Sequence, residues 1–213
     1  MKKMSKQIAL TFDDGPNITT TLEVLDKLKK YGIVASFFLI ADHINEASAE
    51  SVRKAYEMGC EIANHSKTHA DMTQLSAETI KAEIAYTSER IKAIVGEAPK
   101  FFRPPYISVN ATMVEAIDLP FICGIGARDW EAEVSSYERA CLILDNIADG
   151  KIILLHDFEE NRNTVEALDM IIPALLEEGY EFVTISQLFE NKGIKPSVHS
   201  GIVYSDVMDK IKE

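Results

Sequence analysis

Short apolar runs alternate with helix-patterned segments about seven times along this chain, and that alternation admits few folds. The runs begin at Ile8, Ile33, Cys60, Lys100, Phe121, Lys151 and Tyr180. Between and after them, residues 18–31, 45–58, 76–95, 110–117, 135–148, 164–178 and 186–190 carry apolar side chains at helical spacing. Gly32, Gly59, Gly96, Gly150 and Gly179 follow as stop signals. Parallel strands cannot be joined by tight hairpins, so each pair needs a crossover, usually a helix. The pattern therefore calls for an α/β fold with a parallel sheet and its helices outside. Alternation alone does not separate a closed (β/α) barrel from an open, doubly wound sheet. No Gly-x-Gly-x-x-Gly follows the first run, which argues against a dinucleotide-binding sheet.

The 213 residues suit one domain with a full core. Domain organisation reads as residues 1–191 folding as one unit. Residues 192–213 form a C-terminal tail, extended and ending in a short helix, either packed on that unit or frayed from it. No apolar run approaches the roughly 20 residues of a membrane span, and no apolar stretch of an export signal follows the basic start Met1-Lys2-Lys3. With 34 acidic and 22 basic residues the net charge is −12, which argues against a nucleic-acid partner. Cys60, Cys123 and Cys141, an odd set without Cys-x-x-Cys spacing, read as free thiols.

The chemistry-bearing residues cluster where the strand runs end. In Ile8-Ala9-Leu10-Thr11-Phe12-Asp13-Asp14-Gly15-Pro16 a strand closes on two adjacent carboxylates, and Gly-Pro turns the chain away. Neighbouring strand side chains face opposite ways, so the two carboxylates cannot act from the same side. One is suited to hold a cation, the other to handle a proton. Like charges this close need a positive partner. His65 and His69 are four apart and would share a face on a helical turn. With a carboxylate they make a two-His, one-carboxylate set with open positions, as hydrolytic metal sites have. His156 closes the most apolar run and reads either as a core histidine or, held by Asp129, as a proton donor near neutral pH. Arg103 reads as a surface cation or as the charge that keeps one of the paired aspartates ionised. Trp130, the sole tryptophan, reads as core packing or as a site wall.

Thr11-Phe12-Asp13-Asp14-Gly15-Pro16, His65-Ser66-Lys67-Thr68-His69, Arg103-Pro104-Pro105-Tyr106, Asp129-Trp130 and Leu154-Leu155-His156-Asp157 resemble, in order, the five motifs of the polysaccharide deacetylases. This is the NodB-homology group, or carbohydrate esterase family four. The resemblance spans residues 11–157 and implies a distorted (β/α) barrel of about seven parallel strands. It implies Asp13 as catalytic base, fixed by Arg103, and His156 as acid, tuned by Asp129. It implies Asp14, His65 and His69 as ligands of a divalent metal, zinc foremost, with cobalt, nickel and iron as alternatives. Trp130 and Leu154 match the pair that cups the acetyl methyl, and the Tyr106 N–H matches an oxyanion donor.

The activity so implied is removal of N-acetyl groups from N-acetylglucosamine units of peptidoglycan or chitin-type polymers. O-acetyl esterase action on xylan is the alternative, and a non-catalytic sugar-binding homologue the second. The partner is an acetylated carbohydrate polymer and the chain is expected as a monomer. On location the signals diverge: relatives are mostly extracellular or held at the cell envelope, whereas this sequence carries no recognisable leader.

Overall fold

The computed structural model describes residues 6–207. β1 (Lys6–Asp13) leads to α1 (Thr20–Tyr31), stopped by Gly32 at φ 65°, where a left-handed residue lets the backbone turn back onto the last carbonyls. β2 (Ser36–Leu39) and α2 (Ser48–Glu57) follow, then β3 (Glu61–Asn64) and α3 (Ala77–Val95). The Ser76 hydroxyl caps α3 by accepting the Thr79 N–H. Next come α4 (Ala111–Ala116), β4 (Phe121–Ile122), β5 (Ile125–Gly126) and α5 (Ser136–Leu144), which opens on a Ser135/Glu138 capping box. The chain continues through β6 (Ile152–His156), α6 (Arg162–Glu177), β7 (Tyr180–Phe182), α7 (Ile185–Asn191) and β8 (Val203–Tyr204).

The main sheet runs β3-β2-β1-β6-β5, all parallel. β1 is its spine. Residues 9–13 pair with β6, residues 11–13 with β2, and residues 6–8 with β7. β4 and β8 form a separate parallel pair. Single bridges Asn64–Phe102 and Phe102–Phe121 connect β3 to β4, and an antiparallel bridge Lys151–Asp206 carries the β8 segment to the start of β6. The strands thus circle the molecule, but the circuit is completed by single bridges rather than continuous ladders, which is the distortion of this barrel.

The expected strand at residues 100–102 shrinks to the one bridging residue Phe102, because Pro104 and Pro105 follow at once. The expected strand at 121–125 is split at Cys123-Gly124. A Cβ on Gly124 would lie 2.8 Å from the Ile152 carbonyl oxygen, so backbone packs on backbone there. The expected tail contributes β8, with Tyr204 and Val207 buried; its expected final helix lies outside the described residues.

Side chains of β1 alternate as a buried strand requires. Ile8, Leu10 and Phe12 pack outward against Val24, Leu25 and Ile171 of the helices. Ala9 faces inward with Phe38, Ala63, Ile122 and Ile152, and by the same period Thr11 and Asp13 face inward too. On β6, Ile153 and Leu155 join the outer layer, which sends Leu154 and His156 to the inner side. Among the described residues no helix is long and apolar enough to cross a membrane. All three cysteines are free.

Candidate metal and catalytic site

At the C-terminal ends of β1, β3 and β6 lies a cleft of about 590 Å³, lined by Asp13, Asp14, His65, His69, Tyr106, Trp130, Leu154 and His156 among others. Eight of the ten residues singled out in the sequence therefore share one cleft. The other two, Arg103 and Asp129, are fully buried behind it.

Asp13, held inward by the strand period, meets Arg103. One guanidinium nitrogen donates to Asp13 Oδ1 at 2.6 Å and to Thr11 Oγ1 at 2.9 Å; the other terminal nitrogen donates to the Cys123 carbonyl at 2.7 Å. The guanidinium also stacks 4.1 Å from the centre of the Phe38 ring. A wholly buried cation survives only when it is paired and saturated in this way, so the surface reading of Arg103 is excluded. Asp13 Oδ1 is thereby occupied, while Oδ2 lies 3.8 Å from His65 Nε2, on the side of Asp14.

Asp14, His65 and His69 converge at the strand ends. Asp14 Oδ1 is 3.4 Å from His65 Nε2 and 3.5 Å from His69 Nε2, and one donor atom from each residue lies within 4.8 Å of the others. The histidines do not sit on a helical turn, as their spacing would suggest. They lie in an irregular loop after β3, with Ser66 at φ 69° and His69 at φ 60°. The left-handed bends bring both rings inward, 4.9 Å apart. His65 Nδ1 sits 2.7 Å from the Arg103 carbonyl. A carbonyl only accepts, so Nδ1 carries the hydrogen and Nε2 presents its lone pair.

The protonation states suit a cation. Burial disfavours the Asp14 carboxylate, but the closeness of the His65 imidazole, with His156 and His69, outweighs it and lowers its pKa to about 2. Burial and the nearby His65 push the His69 pKa down, keeping that ring neutral. Asp14 Oδ1 is buried without a hydrogen-bond partner, a costly deficit that a cation between these three atoms removes. The donor set fits a divalent zinc, cobalt, nickel or iron ion.

His156 is clamped by Asp129. Oδ1 of Asp129 is 2.8 Å from His156 Nδ1, and Oδ2 accepts the His156 backbone N–H at 2.7 Å and the Thr164 hydroxyl at 2.9 Å. Burial works against the imidazolium. The hydrogen bond and charge of Asp129, with Asp13 and Asp14, prevail and raise its pKa to about 9. Nδ1 is committed to Asp129, so Nε2 is the nitrogen available to exchange a proton with a bound molecule. Trp130 is 57% exposed, edge-on to His156 at 5.8 Å, so it is a wall and not core. It faces the cleft with buried Leu154 and with Gly124 and Gly126. Tyr106 is 67% exposed and adopts φ 58° in a tight turn after Pro104-Pro105, its ring edge-on to His69.

Some supports carry no sequence signal. Glu83, on the helix α3, accepts the Lys67 and Thr68 N–H groups and so fixes the loop between the two histidines. Thr164 and the buried Arg139 back Asp129 from α6 and α5, Arg139 donating to Thr164 Oγ1. Asp157, the last residue of the fifth motif, is buried beneath Gly15, whose Cβ would meet its carboxylate at 2.8 Å.

The sequence model of the family described as "Polysaccharide deacetylase" matches residues 1–119. The chain is 52% identical over 193 residues to a bifunctional xylanase/deacetylase of Pseudobutyrivibrio xylanivorans, covering 91% of this chain and 32% of that protein. A peptidoglycan-N-acetylglucosamine deacetylase of Listeria monocytogenes is 34% identical, with 89% and 40% covered. The chain thus spans about a third to two-fifths of these relatives. Among solved structures, the Xyl-CE4 domain of a multidomain xylanase from the hindgut metagenome of Trinervitermes trinervoides superposes with TM-score 0.94 at 48% identity, covering 97% of this chain and all of that one. A family 4 acetyl xylan esterase of Clostridium thermocellum, in complex with a cobalt ion, gives 0.91 at 41%, covering 95% and all of that chain. Motif order, a cleft that gathers the motif residues and these matches agree: the chain belongs to the polysaccharide deacetylases, the NodB-homology enzymes of carbohydrate esterase family four.

Proposed function

We propose that this chain is a metal-dependent deacetylase whose substrate is acetylated xylan, cleaved at O-acetyl esters. The observation that carries the hydrolytic reading is the one cleft that gathers Asp13, with its buried arginine, His156, with its buried aspartate, and the Asp14-His65-His69 set. The xylan reading is favoured over N-acetylglucosamine polymers by the higher identity to the xylan-associated relatives.

Asp14, His65 and His69 would hold a divalent cation, which would supply Lewis acidity toward water and the acetyl carbonyl. Asp13 Oδ2, free of Arg103, accepts a proton from the attacking water as its oxygen bonds to the acetyl carbon. The Tyr106 N–H donates to the oxygen on which negative charge develops, a contribution of about 3 kcal/mol for one such donor. Trp130 and Leu154 enclose the acetyl methyl. As the bond to the sugar oxygen breaks, His156 Nε2 protonates that oxygen, and Asp129 balances the charge on the ring beforehand. The same proton would reach an amide nitrogen, and the similarity to a peptidoglycan-N-acetylglucosamine deacetylase makes N-deacetylation the second reading.

Paired substitutions separate the roles. Asp14→Ala is expected to lose bound metal, measured by elemental analysis. Asp13→Asn should retain it while kcat falls by about 10²–10⁴-fold. Wild-type turnover by Asp13→Asn would overturn the assignment. Acetate release from acetylated xylo-oligosaccharides against N-acetylglucosamine oligomers decides between the substrates.

A further inference from the structure

The carboxylate and the two imidazoles of the candidate metal site come from separate strand ends, Asp14 after β1, His65 and His69 after β3. In the sheet β2 lies between those strands. Its last residue and the four that follow, residues 39–43, bond to both donor segments. Toward the histidine loop, the Leu39 carbonyl accepts the His65 N–H at 3.0 Å. The Ala41 N–H donates to the Ser66 carbonyl at 3.1 Å and the Asp42 N–H to the Lys67 carbonyl at 3.0 Å. Toward the aspartate, the Ile40 N–H donates to the Gly15 carbonyl at 2.9 Å, and His43 Nδ1 lies 2.8 Å from the Asp14 carbonyl oxygen. A carbonyl only accepts, so Nδ1 of His43 carries the hydrogen. Residues 39–43 thus brace one group of donors against the other.

We infer that His43 is a positioning residue of the metal site: through its bond to the Asp14 carbonyl it holds that carboxylate at the spacing from His65 and His69 that an ion needs. The inference rests on the metal reading above. Asp14 sits at φ 73°, in the left-handed region that an L-residue seldom adopts unless its surroundings hold it there. The carbonyls on either side are held by backbone, Asp13 by the Asp157 N–H at 3.0 Å and Gly15 by the Ile40 N–H. The carbonyl of Asp14 itself is held by a side chain, so this is the bond of the three that a substitution can remove. His43 can bear on Asp14 because its own backbone is pinned. Its N–H donates to the Ile40 carbonyl at 3.1 Å, and its carbonyl accepts the Ser48 hydroxyl, at the start of α2, at 2.7 Å. His43 does not compete for the ion, since the group able to share one is Asp14, His65 and His69. The residue is exposed, so replacing it removes little packing, and the effect falls on the metal site rather than on the fold.

Zinc affinity of the metal-free protein, read by competition with a chromophoric chelator, tests this with two variants. His43→Ala removes the donor and should weaken zinc binding about five- to tenfold. His43→Asn places an amide N–H close to where Nδ1 stood and should restore the wild-type affinity. The visible spectrum of bound cobalt, which follows the geometry of the donors, should change in His43→Ala and return in His43→Asn. Tm of the metal-free protein should be the same for all three. Unchanged zinc affinity in His43→Ala, or a loss that His43→Asn does not repair, overturns the positioning role, as does a lower Tm with zinc binding intact. A wild type that binds neither zinc nor cobalt would instead remove the metal reading on which the role rests.

Discussion

In the mechanism proposed above, Asp129 is the side chain that would set the working pH. It is fully buried, and both oxygens are occupied by His156 and Thr164, while the cation of Arg139 lies behind Thr164. Asp129→Asn keeps the shape and removes the charge. Burial then acts on the imidazolium with less opposition, so the His156 pKa falls from about 9. The acid must be protonated to act, and activity is lost as pH rises through its pKa. The variant's descending limb in kcat against pH is therefore expected at lower pH than the wild type's, together with a reduced maximum. Superimposable profiles would show that Asp129 does not tune the acid. The motif residues are legible in the sequence because each is a polar group at the end of an apolar run, where packing gives no reason for it. Asp13, Asp14, Arg103 and His156 all have that character. Thr164 and Arg139 are not legible: on a helix face such residues look like solvated positions, and only the tertiary fold buries them.

At the scale of elements, the loop from His65 to His69 shows where spacing misleads. A separation of four suggests a helical turn, yet the rings converge through left-handed bends at Ser66 and His69. What holds those bends is partly distant. Asn64 Oδ1 accepts the Ser66 N–H, and Glu83, reaching in from α3, accepts the Lys67 and Thr68 N–H groups and the Thr68 hydroxyl. Glu83 therefore pre-orders the loop that carries two of the three candidate metal donors. Glu83→Ala leaves those amides without their charged acceptor, and an unheld donor loop binds metal more weakly. A loss of zinc affinity of about ten- to a hundredfold is expected, read by competition with a chromophoric chelator. Unchanged affinity would mean that the loop holds its shape without Glu83. The strands expected at 100–102 and 121–125 come out shorter for a related reason. Apolar composition marks burial, but Gly124 and the two prolines after Arg103 decide how far a ladder extends.

For the whole molecule, the decisive region is the one whose sequence pattern is weakest. Residues 203–207 close the barrel. Cys123 donates its N–H to the Tyr204 carbonyl at 2.7 Å, Ile152 to the Ser205 carbonyl at 3.2 Å, and Val207 to the Gly150 carbonyl at 3.0 Å. The segment thereby ties β4 to β6, which do not pair with each other directly among the described residues. Two-residue strands give no periodicity to read, so the pattern suggests only a tail. Tyr204 anchors the closure: it is 2% exposed, perpendicular to Phe189 at 5.3 Å, and its hydroxyl accepts the Ser197 N–H. Tyr204→Ala would empty that space and cost about 3–4 kcal/mol. In a domain of this size that lowers Tm by roughly 10 °C. The candidate metal donors lie just after β1 and in the loop after β3, held by separate hydrogen bonds, so metal content should be unchanged at room temperature. Calorimetry and elemental analysis check both halves. A fall of less than about 3 °C would show that the β8 segment lies on a wall already closed without it, whereas lost metal would show that barrel closure and the donor loop are one cooperative unit.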